Sequence, residues 1–145
     1  MVDVDHQGSA SESPAVLITG GTRGIGAGIA RGFLRAGARV LVCGRSEPAE
    51  LPSADGRTAV FAKADIRDPE QAAGSVQHAV DLFQRLDVVV SNAGGSPYAA
   101  AATASPRFHA KVIELNLIAP LHIAQAANAV LRKQEGGGSI ILVTR

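Results

Sequence analysis

The stretch Thr19-Gly20-Gly21-Thr22-Arg23-Gly24-Ile25-Gly26 constrains this chain more than any other. Ala15-Val16-Leu17-Ile18 before it is a short apolar run rich in strand formers, and Ala27 to Ala36 after it reads as a helix. Glycines at a strand-to-helix turn let the chain turn tightly and let a ligand approach main-chain N–H groups. The first turn of a helix leaves N–H groups without intrahelical partners, and the helix dipole adds partial positive charge there. A pyrophosphate fits such an end. The glycines follow the spacing G-x-x-x-G-x-G at Gly20, Gly24 and Gly26. A tight turn with no ligand needs such glycines too, so the rest of the chain has to decide between the two.

The rest of the chain alternates strands and helices. Strand one is Ala15 to Thr19. The helix after it carries Ile25, Ile29, Phe33 and Leu34 near helical spacing. Gly28 and Gly32, one turn apart, point to close packing on a sheet, and Gly37 is read as the helix stop. Strand two, Arg39 to Cys43, is a continuous apolar run suited to a strand buried on both faces. Glu47 to Arg57 is read as a loop and Thr58 to Ala62 as strand three. Asp68-Pro69-Glu70-Gln71 starts a helix: Asp68 is the N-cap, Pro69 takes the first helical position and Gln71 closes a capping box. That helix runs to about Arg85, with Val76, Val80 and Phe83 on one face and His78 on the other. Strand four is Asp87 to Ser91, followed by the turn Asn92-Ala93-Gly94-Gly95. Ser105-Pro106 opens a long helix to about Lys133, Gly136-Gly137-Gly138 breaks it, and strand five is Ser139 to Thr144. This alternation predicts the α/β class: a Rossmann-type, doubly wound parallel sheet of about five strands with helices on both faces. The sheet is expected to be incomplete on its C-terminal side, where Ile140-Ile141-Leu142-Val143 forms an uncovered apolar edge.

The core of such a sheet must here be aliphatic and alanine-rich, because the chain is 46% hydrophobic but only 3% aromatic. A formal net charge of +1, with no run of basic residues, gives no reason to expect nucleic acid or a membrane surface. No apolar run approaches membrane-spanning length. Residues 1–13 are polar and lack a signal peptide's basic start and apolar centre. They are expected to form a flexible tail ahead of a dinucleotide-binding domain over residues 14–145. The single cysteine, Cys43, excludes an internal disulfide and fits a reducing compartment, so a cytoplasmic protein is expected. Within Val40-Leu41-Val42-Cys43 it reads as a small buried hydrophobe and not as a nucleophile. No Cys/His/Asp cluster has metal-site spacing.

At the end of strand two a dinucleotide-binding domain meets the adenosine ribose. An acid there binds the 2′-OH, whereas an arginine accommodates a 2′-phosphate. This chain has Gly44-Arg45 and no acid before Glu47, and Arg23 in the glycine loop adds a second positive charge. Both arginines point to NADP(H) over NAD(H); a solvated loop arginine is the other reading of Arg45. Asn116 lies between Val112-Ile113 and Leu117-Ile118, so a buried amide in need of partners is expected. Pro120, four residues on, has no N–H, so the Asn116 carbonyl loses its α-helical donor and a kink is expected.

Taken in order, Thr19-Gly20-x-x-x-Gly24-Ile25-Gly26, Asp65-Ile66, Asn92-Ala93-Gly94, Asn116 and Gly138-Ser139-Ile140-Ile141 resemble the motifs of the short-chain dehydrogenase/reductase family, from Ala15 to Arg145. The resemblance implies an oxidoreductase that interconverts an alcohol and a carbonyl on a small-molecule substrate. It implies that Gly20, Gly24, Ile25 and Gly26 hold the cofactor's pyrophosphate, with Thr22 in the same loop, and that Arg23 and Arg45 hold the 2′-phosphate. Asp65 with Ile66 meets the adenine, and Asn92, Ala93 and Gly94 meet the adenosine-side ribose. Asn116 becomes a catalytic residue whose carbonyl serves a proton relay.

Ser91 departs from the pattern, standing where the family has the first Asn of NNAG. The family also uses a Ser near the end of strand five and, on the next helix, a Tyr and a Lys four residues apart. The tyrosine acts as general acid or base with its proton affinity lowered by the lysine. The one tyrosine here, Tyr98, is followed four residues later by Ala102 and is not that residue; the serine position falls on Arg145, beside Thr144. The chain is therefore expected to be the cofactor-binding half of a longer enzyme, inactive by itself. The alternative is a truncated, non-catalytic dinucleotide-binding or interaction module. A homo-oligomer is compatible with the resemblance.

Overall fold

The computed structural model describes residues 12–144. The expected flexible tail lies outside the described residues over positions 1–11, as does Arg145, the expected serine position.

β1 (Ala15–Thr19) runs into α1 (Gly24–Arg35) and β2 (Arg39–Gly44). A short hairpin, β3 (Ser53–Ala54) and β4 (Arg57–Thr58), precedes β5 (Val60–Lys63), α2 (Pro69–Phe83) and β6 (Val88–Ser91). α3 (Pro106–Ile113), a π-helical turn (Glu114–Ile118) and α4 (Ala119–Leu131) then form one helical limb leading to β7 (Ser139–Leu142). The main sheet is parallel and five-stranded, in the order β5-β2-β1-β6-β7. Winding reverses between β1 and β6, and ligands of such sheets bind in the crevice beyond the carboxyl ends at that reversal.

Alternation along the strands builds two aliphatic cores. Leu17, Leu41 and Val89 pack with Val76 of α2 and Ile123 and Ala127 of α4. Val16, Ile18, Val40, Val42 and Val90 pack on the other face with Ala30 and Leu34 of α1. A strand buried on both faces needs an unbroken apolar run, and β1 has one: Ala15, Val16, Leu17 and Ile18 are all 0% exposed.

Several local expectations are corrected. α1 starts at Gly24, and its buried face is Gly26, Ala27, Ala30 and Leu34, while Ile25 is exposed. Gly28 and Gly32 are exposed as well, and a Cβ at either would meet nothing within 4 Å, so they do not mark close packing on the sheet. Gly37 does stop the helix. At φ +86° it donates to the Leu34 carbonyl at 3.0 Å while Ala38 donates to Phe33 at 3.0 Å, a Schellman pair.

The expected loop after β2 contains a hairpin. Asp55 and Gly56 both have positive φ, 50° and 74°, which is the two-residue turn that Asp-Gly favours. Arg57 and Thr58 are drawn into that hairpin, so the third strand of the main sheet starts later than expected. At α2, Asp68 caps as expected, accepting from the Glu70 N–H at 2.9 Å and the Gln71 N–H at 3.4 Å. The Gln71 side chain does not close the box. Its Oε1 accepts from the Asp65 N–H at 2.9 Å and its Nε2 donates to Asp68 at 3.0 Å, tying the preceding segment to the helix start. α2 stops at Phe83, before a left-handed Gln84. In the helical limb, the Ala119 N–H reaches back to Glu114, and Pro120 has no N–H to offer Asn116. The helix absorbs that break as a π turn.

Candidate functional site

A cleft of about 600 Å³ opens at the carboxyl ends of β1, β2, β5 and β6. Gly20, Thr22, Arg23, Gly24 and Ile25 line it from the first loop, Cys43 to Pro48 from the end of β2, and Ala64 to Arg67 from the segment after β5. Asn92, Ala93 and Gly94 line it from the end of β6, and Leu115 from the π turn. The sheet thus brings together sequence motifs that lie far apart along the chain.

Gly26 is an expected site residue that does not line the cleft. It lies beneath the loop, where a Cβ would sit 2.2 Å from the Gly20 carbonyl oxygen and 2.5 Å from Asn92 Nδ2. A Cβ at Gly20 would approach Ala93 Cα to 2.9 Å, and one at Gly21 would approach Val42 Cγ1 to 2.5 Å. Gly24 differs: it has open space around it, and its φ of +53° is what favours glycine. Arg23 is the N-cap residue of α1, with extended backbone and no side-chain cap, and the first turn holds no acidic residue. The first-turn N–H groups therefore have no side-chain acceptor, and the dipole field at that end is not cancelled locally.

Two polar side chains join the loop to the end of β6. Asn92, 3% exposed, donates from Nδ2 to the carbonyls of Thr19 at 3.2 Å and Gly20 at 3.1 Å. The Thr19 hydroxyl oxygen accepts from the N–H groups of Asn92 at 3.1 Å and Ala93 at 3.0 Å. Among the described residues, the buried Ser91 Oγ and Asn92 Oδ1 have no hydrogen-bond partner.

Asn116 is exposed, against the expectation of a buried amide. Its apolar neighbours gave the wrong signal, since Ile113 and Leu117 are themselves 52% and 57% exposed. The side chain is nevertheless fully engaged. Oδ1 accepts from the Gly95 N–H at 2.9 Å, and Nδ2 donates to the carbonyls of Gly95 and Val112, each at 2.8 Å. Asn116 therefore clamps the turn after β6, and a Cβ at Gly94 would sit 2.8 Å from its Oδ1.

At the far end of the cleft Arg45 follows β2, exposed, and Asp65 follows β5. Hydrogen bonds from Arg67 hold the Asp65 carboxyl below the usual carboxylate range against the opposing effect of partial burial, and the charge of Arg45 adds to it. Arg67 escaped the sequence reading; its position two residues after Asp65, across a turn, was the available signal. Cys43 is fully buried, and burial pushes its thiol up to about 12, so it stays a protonated, inert thiol. Tyr98 is 99% exposed and outside the cleft lining.

Residues 14–144 match the short chain dehydrogenase family. The sequence is 37% identical over 129 residues to L-fucose dehydrogenase of Oryctolagus cuniculus, covering 83% of this chain and 43% of that protein. It is 34% identical over 139 residues to L-rhamnose 1-dehydrogenase (NAD(P)(+)) of Sphingomonas sp. (strain SKA58), covering 92% of this chain and 55% of that one. The fold is similar to that of NADH-dependent reductase A1-R' complexed with NAD, with a TM-score of 0.80, 28% identity, and coverage of 92% and 61% of the two chains. The chain spans about half the length of the curated relatives it matches. Among the described residues no helix is long and apolar enough to cross a membrane, and no His/Cys/Asp/Glu group is arranged to hold a metal ion.

Proposed function

The chain belongs to the short-chain dehydrogenase family, and from that premise we propose that it forms the cofactor-binding part of an NADP(H)-dependent oxidoreductase interconverting an alcohol and a carbonyl on a small-molecule substrate. The observation that carries the cofactor choice is the end of β2. Gly44 and Arg45 stand there instead of an acid, and Arg23 borders the same cleft. A 2′-hydroxyl calls for an acceptor at that place, whereas a 2′-phosphate calls for cations. The residues fit a dinucleotide: the glycine loop leaves main-chain N–H groups uncapped beside a cleft of about 600 Å³.

In this reading the main chain of Gly20, Thr22, Gly24, Ile25 and Gly26 forms the pyrophosphate cradle, and Arg23 and Arg45 hold the 2′-phosphate. Asp65 and Ile66 border the adenine, and Asn92, Ala93 and Gly94 the adjoining ribose. Asn116 keeps that turn in place, and its carbonyl, which Pro120 cannot cap, is the group we assign to a relay water. A bound nicotinamide supplies the hydride chemistry. Cys43, free and buried, suits a reducing compartment, and we place the protein in the cytoplasm.

Titration of the full chain with NADPH and with NADH, followed by nicotinamide fluorescence, tests the cofactor choice. NADPH is expected to bind at least about tenfold more tightly, the scale of a charge-assisted pair. Equal or tighter NADH binding overturns it. A second reading is a dinucleotide-binding or interaction module without catalysis. Turnover of an alcohol or carbonyl by the purified chain excludes that reading.

A further inference from the structure

Arg23, Arg45 and Arg67 line the cleft together with Glu47 and Asp65, and Arg45 lies near enough to Asp65, the residue assigned above to the adenine, for its charge to act on that carboxylate. Asp65 is held in place from two sides. Its Oδ1 accepts from Arg67 Nε at 2.9 Å and from the Arg67 main-chain N–H at 3.1 Å. Its Oδ2 accepts from Nε at 3.1 Å and from a terminal guanidinium nitrogen. On the other side the Asp65 N–H is tied to Gln71 in the first turn of α2. Both side chains of the pair are 27% exposed, so water screens their charges less than it would on an open surface.

A bare carboxylate at this place would repel a phosphate dianion and favour a cofactor with a free ribose hydroxyl. The fork of Arg67 cancels that charge in place. We propose that Arg67 is a specificity-determining residue for the adenosine end of the cofactor: by neutralising Asp65 it makes that end accept a phosphorylated ribose. The inference rests on the NADP(H) reading. It assigns Arg67 an indirect role, in contrast to the direct phosphate contact assigned to Arg23 and Arg45.

The test measures dissociation constants of the full chain for NADPH and for NADH, by nicotinamide fluorescence, in the wild type, Arg67→Ala, Arg67→Gln and the double variant Asp65→Asn/Arg67→Ala. Each single variant is expected to weaken NADPH about tenfold more than NADH, with the difference shrinking as salt rises. The double variant removes the exposed carboxylate and is expected to regain most of the lost NADPH preference. General damage to the fold moves both constants together, so an unchanged ratio in both single variants overturns the proposal. It is also overturned by a double variant whose preference for NADPH over NADH is no greater than that of Arg67→Ala, because Arg67 would then be the phosphate ligand itself. The NADP(H) reading fails separately, if the wild type favours NADH; the change of the ratio on removing Arg67 still decides the present inference.

Discussion

Gly20, Gly21 and Gly26, in the loop and the first turn of α1, and Gly28 and Gly32, further along that helix, are the same residue, yet their surroundings are opposite. In the first group, a Cβ at any of the three would come within 3 Å of another atom: the Gly20 oxygen, Val42 or Ala93. At Gly28 and Gly32, a Cβ would meet open space. The first group permits a backbone packing that no other residue allows. The second costs helix stability and supports no contact among the described residues. A glycine's role is thus set by the space around its α-carbon, which its position in a motif does not reveal.

Gly26→Ala should have the largest effect. The group in the way is the Gly20 carbonyl, which is main chain and cannot rotate aside. A loss of about 3 kcal/mol in urea unfolding is expected, together with loss of dinucleotide binding. Stability close to that of the wild type would break the comparison. Gly21→Ala meets a side chain, Val42, and should cost about 2 kcal/mol. Combining it with Val42→Ala sharpens the point. The double variant should lose less than the sum of the singles, because each change makes room for the other; strict additivity would mean that Val42 is not what excludes a side chain at position 21. Gly28→Ala and Gly32→Ala should have the smallest effects and the opposite sign, each raising stability by about 0.5–1 kcal/mol. A loss on thermal unfolding would show that the solvent face of α1 is packed after all.

Much of the fold was legible because its signals are local. The Asp68-Pro69 start of α2, the Gly37 stop of α1 and the apolar runs of β1 and β2 are constraints of covalent geometry and periodicity, acting within a turn or a strand. The Asp55-Gly56 hairpin was equally local, and its signal lay in the chain unread. Exposure was legible at the sheet edge, where Ile140 to Val143 were expected to be uncovered, and misread at Ile25 and around Asn116, where Ile113 and Leu117 are exposed. Val40 to Cys43 and Ile140 to Val143 are similar apolar runs, yet Val40 to Cys43 are buried while Ile141 and Leu142 are 44% and 54% exposed. The difference lies in the neighbouring segments: β2 sits between β1 and β5, whereas β7 is the last strand in the sheet order.

The candidate site divides the same way. The glycine loop, the turn after β6, and Arg45 in the place of an acid could all be named from the chain, and the parallel sheet brings them to one cleft. That Asn116 is exposed and clamps Gly95 could not be named, whereas the pairing of Arg67 with Asp65, two residues away, lay in the chain unread.

By itself the amino-acid sequence determined the main alternation of strands and helices, the parallel winding of the sheet, and the loop and strand ends that line the candidate cleft. Only the tertiary structure decided which glycines are locked, which polar groups are engaged and which apolar residues are covered. The physical reason is range. Periodicity and capping are satisfied within a few residues, whereas the hydrogen bond from Asn92 to Thr19 joins groups 73 residues apart, and free space around an atom exists only once such distant segments have met.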